Sequence, residues 1–383
     1  MNPRFSVIVP LYNKADYVRH ALESIAAQTF CDYEVIVVDD GSTDGSAGIV
    51  RDFIESKPKT QNPESSKNDS QLTASHSAHM QASGQHETPT LDANELPDSL
   101  QKNNPKKTKN EIILISQTNS GVAAARNNGV AKSKGEFVCF LDADDWWEPN
   151  MLEEMDRLIR EYPEAGLSAT NYVYYKPGKT HVALDLERGY MNYPEAYLHG
   201  GMPVWTGAAC MPRKVFDEMG GFPLGIRLGE DFLLWAKTAL HYKVAFCDKP
   251  LAYYNNDVPA HLRATRNLHA PKHHMLFHLD EIEKSINLQV ETRNLKFETI
   301  NPKYAAWTQL LDMLRINGLM DYWLDERYHE AAAAELENVD WSRQPLKAKQ
   351  QYEKPIWYLK FHRRFMQIGS YFKQKLIKLI GKR

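Results

Sequence analysis

The chain has 383 residues, 43% of them hydrophobic and 25% charged, and a formal net charge of −3. This is the balance of an ordinary globular protein with room for two or three domains, and it excludes a uniformly basic nucleic-acid binder. No run of about 18 apolar residues occurs, so a spanning helix is not expected, and the N-terminus turns polar too soon for a secretory leader.

Four cysteines, Cys31, Cys139, Cys210 and Cys247, stand apart with no C-x-x-C pair. A disulfide framework or a cysteine zinc site is therefore not expected, and a reducing cytoplasm is the natural setting. Charge is unevenly spread. Residues 352–383 hold nine Lys and Arg against one Glu, a local sum of +8 that leaves −11 for the rest. One end of the chain seeks an anionic surface and the body does not.

In chain order, FSVIVPL (5–11) is a continuous apolar run ending at Tyr12 and Asn13, and residues 15–28 carry apolar side chains at helical spacing. EVIVVDDGS (34–42) is a second run, followed by a helical stretch to about residue 54. IILIS (112–116) is a third, followed by a Gly/Asn turn and a helical segment. FVCFLDADD (137–145) is a fourth, with a helix from about Asn150. Runs apolar on both faces that alternate with helices predict an α/β fold, a doubly wound and mostly parallel sheet covered on both sides.

Between the second helix and the third strand, residues 57–110 contain no Phe, Trp, Tyr, Ile, Val or Cys. Such a segment buries too little apolar surface to offset chain entropy and reads as a disordered insertion. His76 and His79 within it have metal-like spacing but no third ligand. Residues 165–262 read as short aromatic-rich strands with one helix near 230–238. Residues 273–336 read as helical and the end as basic and aromatic. The expected organisation is 1–262 as one domain carrying the insertion, 263–350 as a helical region and 351–383 as a basic amphipathic tail.

Strand ends concentrate the chemistry: Asn13, Asp39-Asp40 and Asp142-x-Asp144-Asp145. Ligands of an open parallel sheet bind beyond the carboxyl ends of its strands, so these groups converge on one crevice. Alternate residues at a strand end face one side, which lets Asp142 and Asp144 reach one ligand. Oxygen-only donors suit Mg²⁺ or Mn²⁺. Asp44 is read as a turn former.

VIVPLYN, VVDDGSTDGS, QTNSGVAAARNNG and GEFVCFLDADD, in that order, resemble the N-terminal half of family 2 glycosyltransferases with the GT-A fold, and the resemblance extends through GAACMPRKVFDEMGGF and GEDFLLWAK to about residue 262. It implies an inverting, non-processive enzyme, since no Q-x-x-R-W block is present. The implied donor is a UDP- or dTDP-sugar and the implied acceptor a glycan or lipid-linked precursor of a cell-surface polysaccharide.

By this resemblance Pro10, Tyr12 and Asp40 hold the base. Asp40 would accept the N3–H of uracil or thymine, a proton that cytosine lacks. Asn13, Asn119, Arg126 and Asp142 fall to the nucleotide, and Asp144 with Asp142 to a Mn²⁺ or Mg²⁺ ion. Asp231 and Glu230 are implied as the catalytic pair, with Asp231 favoured as the base that takes the acceptor proton. Trp205 is read as a wall for sugar or acceptor, and His261 as a possible loop ligand. Two alternatives stay open: an inactive scaffold, and a sugar-nucleotide pyrophosphorylase, for which the glycine-rich loop after the first strand is missing. The tail carries Phe361, Phe365, Ile368, Phe372, Leu376 and Leu379 at intervals of three or four, with cations at the other positions. That pattern suits an anionic membrane surface, and equally a helix docked on the same chain.

Overall fold

The four apolar runs form four parallel strands, β1 (Phe5–Leu11), β2 (Tyr33–Asp39), β3 (Ile112–Ser116) and β4 (Phe137–Phe140), side by side in the order β3-β2-β1-β4. The register sets Leu11 opposite Asp39 and Asp39 opposite Ser116, so their carboxyl ends finish level at one edge. Every residue of β1 and β2 is buried, as a sheet covered on both faces requires. The structure is a computed structural model, and it describes residues 2–56, 110–259, 262–263, 268–292 and 302–363. The insertion up to residue 109, His261 and the tail beyond 363 lie outside the described residues.

The predicted helices follow their strands: α1 (Val18–Ala26), α2 (Ser46–Ser56), α3 (Val122–Lys132) and α4 (Met151–Glu161). Helix α3 lies so close on β1 that a methyl group at Gly129 would stand 2.5 Å from Ile8 Cγ2, which is why glycine occupies that position.

The second half extends the same sheet. Beyond β4 come β5 (Trp146–Trp147), β6 (Ala165–Tyr175), β7 (His181–Val182), β8 (Gly189–Met191), β9 (Ala209–Pro212) and β10 (Lys243–Asn255). The sheet continues from β4 as β9-β6-β10-β5, with β9 antiparallel to both of its neighbours. The expectation of short strands here is corrected: β6 has 11 residues and β10 has 13, and they pair in parallel. Strand β10 shifts register around Pro250, which has no N–H for a ladder.

Helices α5 (Tyr193–Gly200), α6 (Arg213–Met219) and α7 (Glu230–His241) flank this half. The helical region holds α8 (Asp280–Thr292), α9 (Pro302–Gly318), α10 (Met320–Leu324), α11 (His329–Glu337) and α12 (Leu346–Glu353). Fully buried Trp307 of α9 stacks on Tyr193 of α5 with ring centroids 5.6 Å apart. Arg315 of α9, also buried, ties Glu283 of α8 at 2.6 Å to Glu335 of α11 at 3.3 Å. The first contact seats α9 on α5, and the second ties α8, α9 and α11 to one another.

Candidate active site

The carboxyl ends of β1, β2 and β4 and the start of α7 meet at one crevice. Pro10 is buried inside β1 opposite Val38, while Tyr12, just past the strand, is 49% exposed and presents an open ring. Asn13 takes a left-handed backbone (φ 51°), a turn that Asn tolerates well. Its N–H donates to Ser42 Oγ at 3.1 Å, and its Oδ1 accepts from Thr43 N at 2.8 Å. Lys14 N donates to Ser46 Oγ at 2.9 Å, and Asp44 Oδ2 accepts from Ala15 N at 2.9 Å. Asp44 is thus a turn former, and the loop after β1 is pinned to the loop after β2.

Asp40 is buried, and its carboxylate is already engaged. Oδ1 accepts from Gln117 Nε2 and Ser120 N, both at 2.8 Å, and Oδ2 from Gly121 N at 2.9 Å. Gly121 precedes α3 with φ 90°, a conformation that suits glycine, so a negative charge sits where the helix N-terminus exposes its amides. Asp40 therefore shapes the 117–121 loop. Asn119 is exposed on that loop, with its N–H group against Gly41.

The Asp142-x-Asp144 motif does not continue β4. Asp145 N donates to Asp142 O at 3.0 Å, closing a turn, so the expected alternation along a strand is corrected: the two carboxylates are presented by a turn. Each has a cationic partner. Arg126 Nη2 donates to Asp142 Oδ1 at 2.8 Å, and Lys14 Nζ to Asp144 Oδ2 at 2.5 Å. Asp145 does not cap α4, whose N-cap is Asn150. It is buried and accepts from Asn255 N at 2.7 Å. Burial, with Asp144 and Asp142 nearby, pushes its carboxyl well above the usual range. Burial also raises Asp144, against the opposing pull of Lys14.

Arg126 is buried and central. Its Nη1 donates to Glu230 Oε1 at 2.7 Å, so one guanidinium joins the turn after β4 to the first residue of α7. Burial works against its charge, but Asp142, Glu230 and Asp231 outweigh that and raise its pKa. Burial, reinforced by Asp231, pushes Glu230 up to about 7. Asp231 is only partly buried, and its Oδ2 accepts from Thr206 Oγ at 2.8 Å. Trp205 is corrected from a ligand wall to a packing residue. It is 4% exposed, its ring lies against Tyr172 and Tyr254, and a Cβ on Gly207 would stand 2.3 Å from it.

The structure thus brings Arg126, Asp142, Asp144, Glu230 and Asp231 together, while Pro10, Tyr12, Asn13, Asp40 and Asn119 line the adjacent ends of β1 and β2. Lys14, Gln117 and Thr206 escaped the reading of the sequence. Lys14 adjoins Asn13, and Thr206 adjoins the flagged Trp205, so neighbourhood in the chain was the available signal. Among the described residues, no group of three His, Cys, Asp or Glu side chains could hold a metal alone. Asp142 and Asp144 fit a hard divalent cation that takes its other ligands from a bound diphosphate and water.

A mixed sheet thus gathers two metal-type carboxylates and a second carboxylate pair at one crevice. The profile of Glycosyl transferase family 2 matches residues 6–85 and 94–220, more than half of the chain, and the chain belongs to that family. Over 268 residues it is 26% identical to Glycosyltransferase GlyA of Streptococcus pneumoniae, covering 66% of this chain and 31% of GlyA. An uncharacterized glycosyltransferase of Nostoc is 32% identical over 164 residues, 43% of this chain and 35% of that protein. An uncharacterized glycosyltransferase of Haemophilus influenzae is 25% identical over 263 residues, 65% of this chain and 67% of that one. The match thus spans about a third of GlyA and of the Nostoc protein. Among solved structures, residues 1–349 of S. aureus TarS in complex with UDP-GlcNAc superimpose with a TM-score of 0.52 at 19% identity, over 88% of this chain and 89% of that one. The fold is that of the GT-A glycosyltransferases.

Proposed function

We propose that the chain is an inverting, metal-dependent glycosyltransferase. In this reading it moves one sugar from a UDP- or dTDP-sugar to a glycan or lipid-linked acceptor in cell-surface polysaccharide synthesis. The observation that carries the reading is Arg126, whose single guanidinium holds both Asp142 and Glu230 and so keeps the diphosphate end of the site beside the acceptor end. The base of the nucleotide rests against Tyr12 near Asp40. Asn13, Asn119 and the loop that Asp40 organises frame the nucleotide beside it.

Asp144 and Asp142 would hold Mn²⁺ or Mg²⁺, which would supply positive charge against the departing diphosphate. Asp231 takes the proton of the acceptor hydroxyl, with Thr206 fixing its carboxylate. A single base and a single displacement invert the anomeric centre. Glu230, buried against Arg126, orients the guanidinium and is not positioned in the open crevice. In this organisation residues 1–262 form the transferase domain and 263–350 the helical region. The tail from 351 onward holds the enzyme at the inner face of the cell membrane. No helix among the described residues is long and apolar enough to cross a membrane.

UDP-N-acetylglucosamine, the ligand of the TarS structure, is the first donor to test. With Mn²⁺ present, nucleotide-sugars should give slow release of the nucleoside diphosphate, which EDTA abolishes. Asp144→Asn should abolish release. Asp231→Asn should lower transfer to acceptor by orders of magnitude and leave nucleotide affinity intact. Nucleotide-sugars that neither bind nor turn over with any divalent metal would refute the reading.

A further inference from the structure

The two cations on the metal-type carboxylates are held in different ways. Arg126 is buried and spends its guanidinium on two carboxylates, Asp142 and Glu230, so it is fixed. Lys14 pairs with one carboxylate, and both partners reach solvent, at 15% and 18% side-chain exposure. Its other partner is the Leu262 carbonyl oxygen at 3.2 Å. The backbone of Lys14 is pinned by Ser46, and its neighbours Asn13 and Ala15 by Ser42 and Asp44, so only the four-carbon side chain is free to move. An ammonium on such a stem is a compact charge that changes partners easily, unlike a forked guanidinium.

The ammonium donates to Asp144 Oδ2, and a metal ion approaching that oxygen would meet a positive charge already in place. Resting on the metal-dependent reading above, we propose that Lys14 is a resident counter-cation that withholds Asp144 from free divalent metal and yields it when a nucleoside diphosphate arrives. The diphosphate brings negative charge to the crevice and gives the ammonium a new partner, while the metal replaces it on Asp144. Metal and nucleotide then bind with positive coupling, and the coupling is reciprocal: each tightens the other by the same factor. The structure sets a physical reason for such an arrangement. Asp142, Asp144 and Asp145 crowd one turn, and the Lys14 ammonium offsets their mutual repulsion while the crevice holds no donor.

The test measures Mn²⁺ binding by the loss of the free-ion EPR signal, with the full chain, alone and with saturating UDP or dTDP. Wild type should bind Mn²⁺ weakly alone and much more tightly with nucleotide. Lys14→Met should bind Mn²⁺ alone about tenfold more tightly than wild type, the scale on which an adjacent charge alters proton binding to a carboxylate, and the nucleotide effect should shrink accordingly. Lys14→Arg keeps the charge and should bind Mn²⁺ alone as weakly as wild type, with a smaller gain from nucleotide because a forked guanidinium releases Asp144 less readily. Equal or weaker binding of Mn²⁺ alone by a folded Lys14→Met protein overturns the proposal. So does failure of both Lys14→Met and Lys14→Gln to fold, which would make Lys14 a structural strut. If wild type holds no Mn²⁺ even with nucleotide, the metal-dependent reading itself fails.

Discussion

Thr206 donates its hydroxyl to Asp231 Oδ2 at 2.8 Å, from a short turn (Thr206–Ala208) that leads directly into β9. Thr206 is itself buried, so the direction of this hydrogen bond is set by the sheet rather than by a mobile loop. Asp231 is only partly buried and has both oxygens anchored, Oδ2 by Thr206 and Oδ1 by Phe232 N at 2.8 Å, the arrangement of a base that must meet a hydroxyl in a fixed direction. Thr206→Val keeps the shape and removes the donor. Turnover should fall roughly ten- to hundredfold, the cost of a misplaced reacting group. The KM for donor should stay unchanged, and Thr206→Ser should restore most of the rate. A loss of stability without a kinetic change would make the contact structural.

Arg126 predicts a stability effect. Removing it leaves Glu230 buried and Asp142 half-buried with no counter-charge. Breaking a buried ion pair from one side costs about 3–5 kcal/mol. Arg126→Met should therefore lower the urea midpoint strongly. Arg126→Lys, which has no fork to reach both carboxylates, should fall between the two. A midpoint within experimental error of wild type for Arg126→Met would contradict the bridging role.

Glu230 adds a pH dependence whose sign follows from its shift. Burial, with Asp231 adding to it, raises the carboxyl from 4.5 to about 7 in the folded chain. The folded state therefore binds this proton more tightly than the unfolded state. The resulting stability is fully present below about pH 4.5 and is lost as pH rises through about 7. Between pH 5 and 8 wild type should lose up to about 3 kcal/mol more than Glu230→Gln, which cannot titrate. Paired urea titrations at the two pH values measure the difference. Identical slopes for both proteins would show that Glu230 does not change protonation on folding.

The parallel half of the sheet was legible because its strands are buried on both faces and so are apolar without alternation. FSVIVPL and YEVIVVD need no partner information to be read. The second half was less legible. Strands β6 and β10 mix Tyr, Asn, Lys and Pro, and their length comes from pairing with each other, a tertiary fact. At the site, the carboxylates announced themselves by type and position. What the sequence concealed was the pairing of Lys14 with Asp144, 130 residues apart, and of Arg126 with Glu230, 104 residues apart. Trp205 was misread because an aromatic side chain beside a small-residue segment suits both a sugar wall and a packed ring. Gly207, which has no side chain to hold the indole away, decides for packing.

Asp40 separates base recognition from loop construction. Its three donors are Gln117 and the amides of Ser120 and Gly121. Asp40→Asn would turn an amide N–H₂ toward one or more of these N–H groups. The loop should loosen and the chain should lose about 1–3 kcal/mol, the desolvation cost of a buried donor left without a partner. Nucleotide affinity should fall with it. Gln117→Ala removes one of Asp40's three donors and the acceptor of Asn128 Nδ2 but leaves both backbone donors to Asp40, and should weaken nucleotide binding much less. Thermal melts alongside UDP titrations distinguish the outcomes. Unchanged stability with lost affinity would assign Asp40 to the base alone.

The start of the tail shows an unexpected division of its side chains. Trp357 is 70% exposed and Phe361 65% exposed, on a helix over 356–363. The cations of that helix turn toward the chain itself: Lys360 pairs with Glu326 at 3.1 Å, and Arg363 pairs with Asp321. Trp357 and Phe361 give this helix a solvent-exposed aromatic edge, and such side chains seat at the headgroup level of a bilayer. Exposed ion pairs contribute little, so an anionic surface can draw Lys360 and Arg363 away from their partners at small cost. The full chain should co-sediment with anionic liposomes, high salt should weaken this, and truncation after Gln351 should remove it. Trp357→Ala with Phe361→Ala should lower partitioning roughly tenfold or more, since burying one large apolar side chain contributes about 1.5–3 kcal/mol. Equal sedimentation of the full and truncated chains would exclude a membrane role for the tail. Loss of solubility on truncation would show instead that the helix completes the fold.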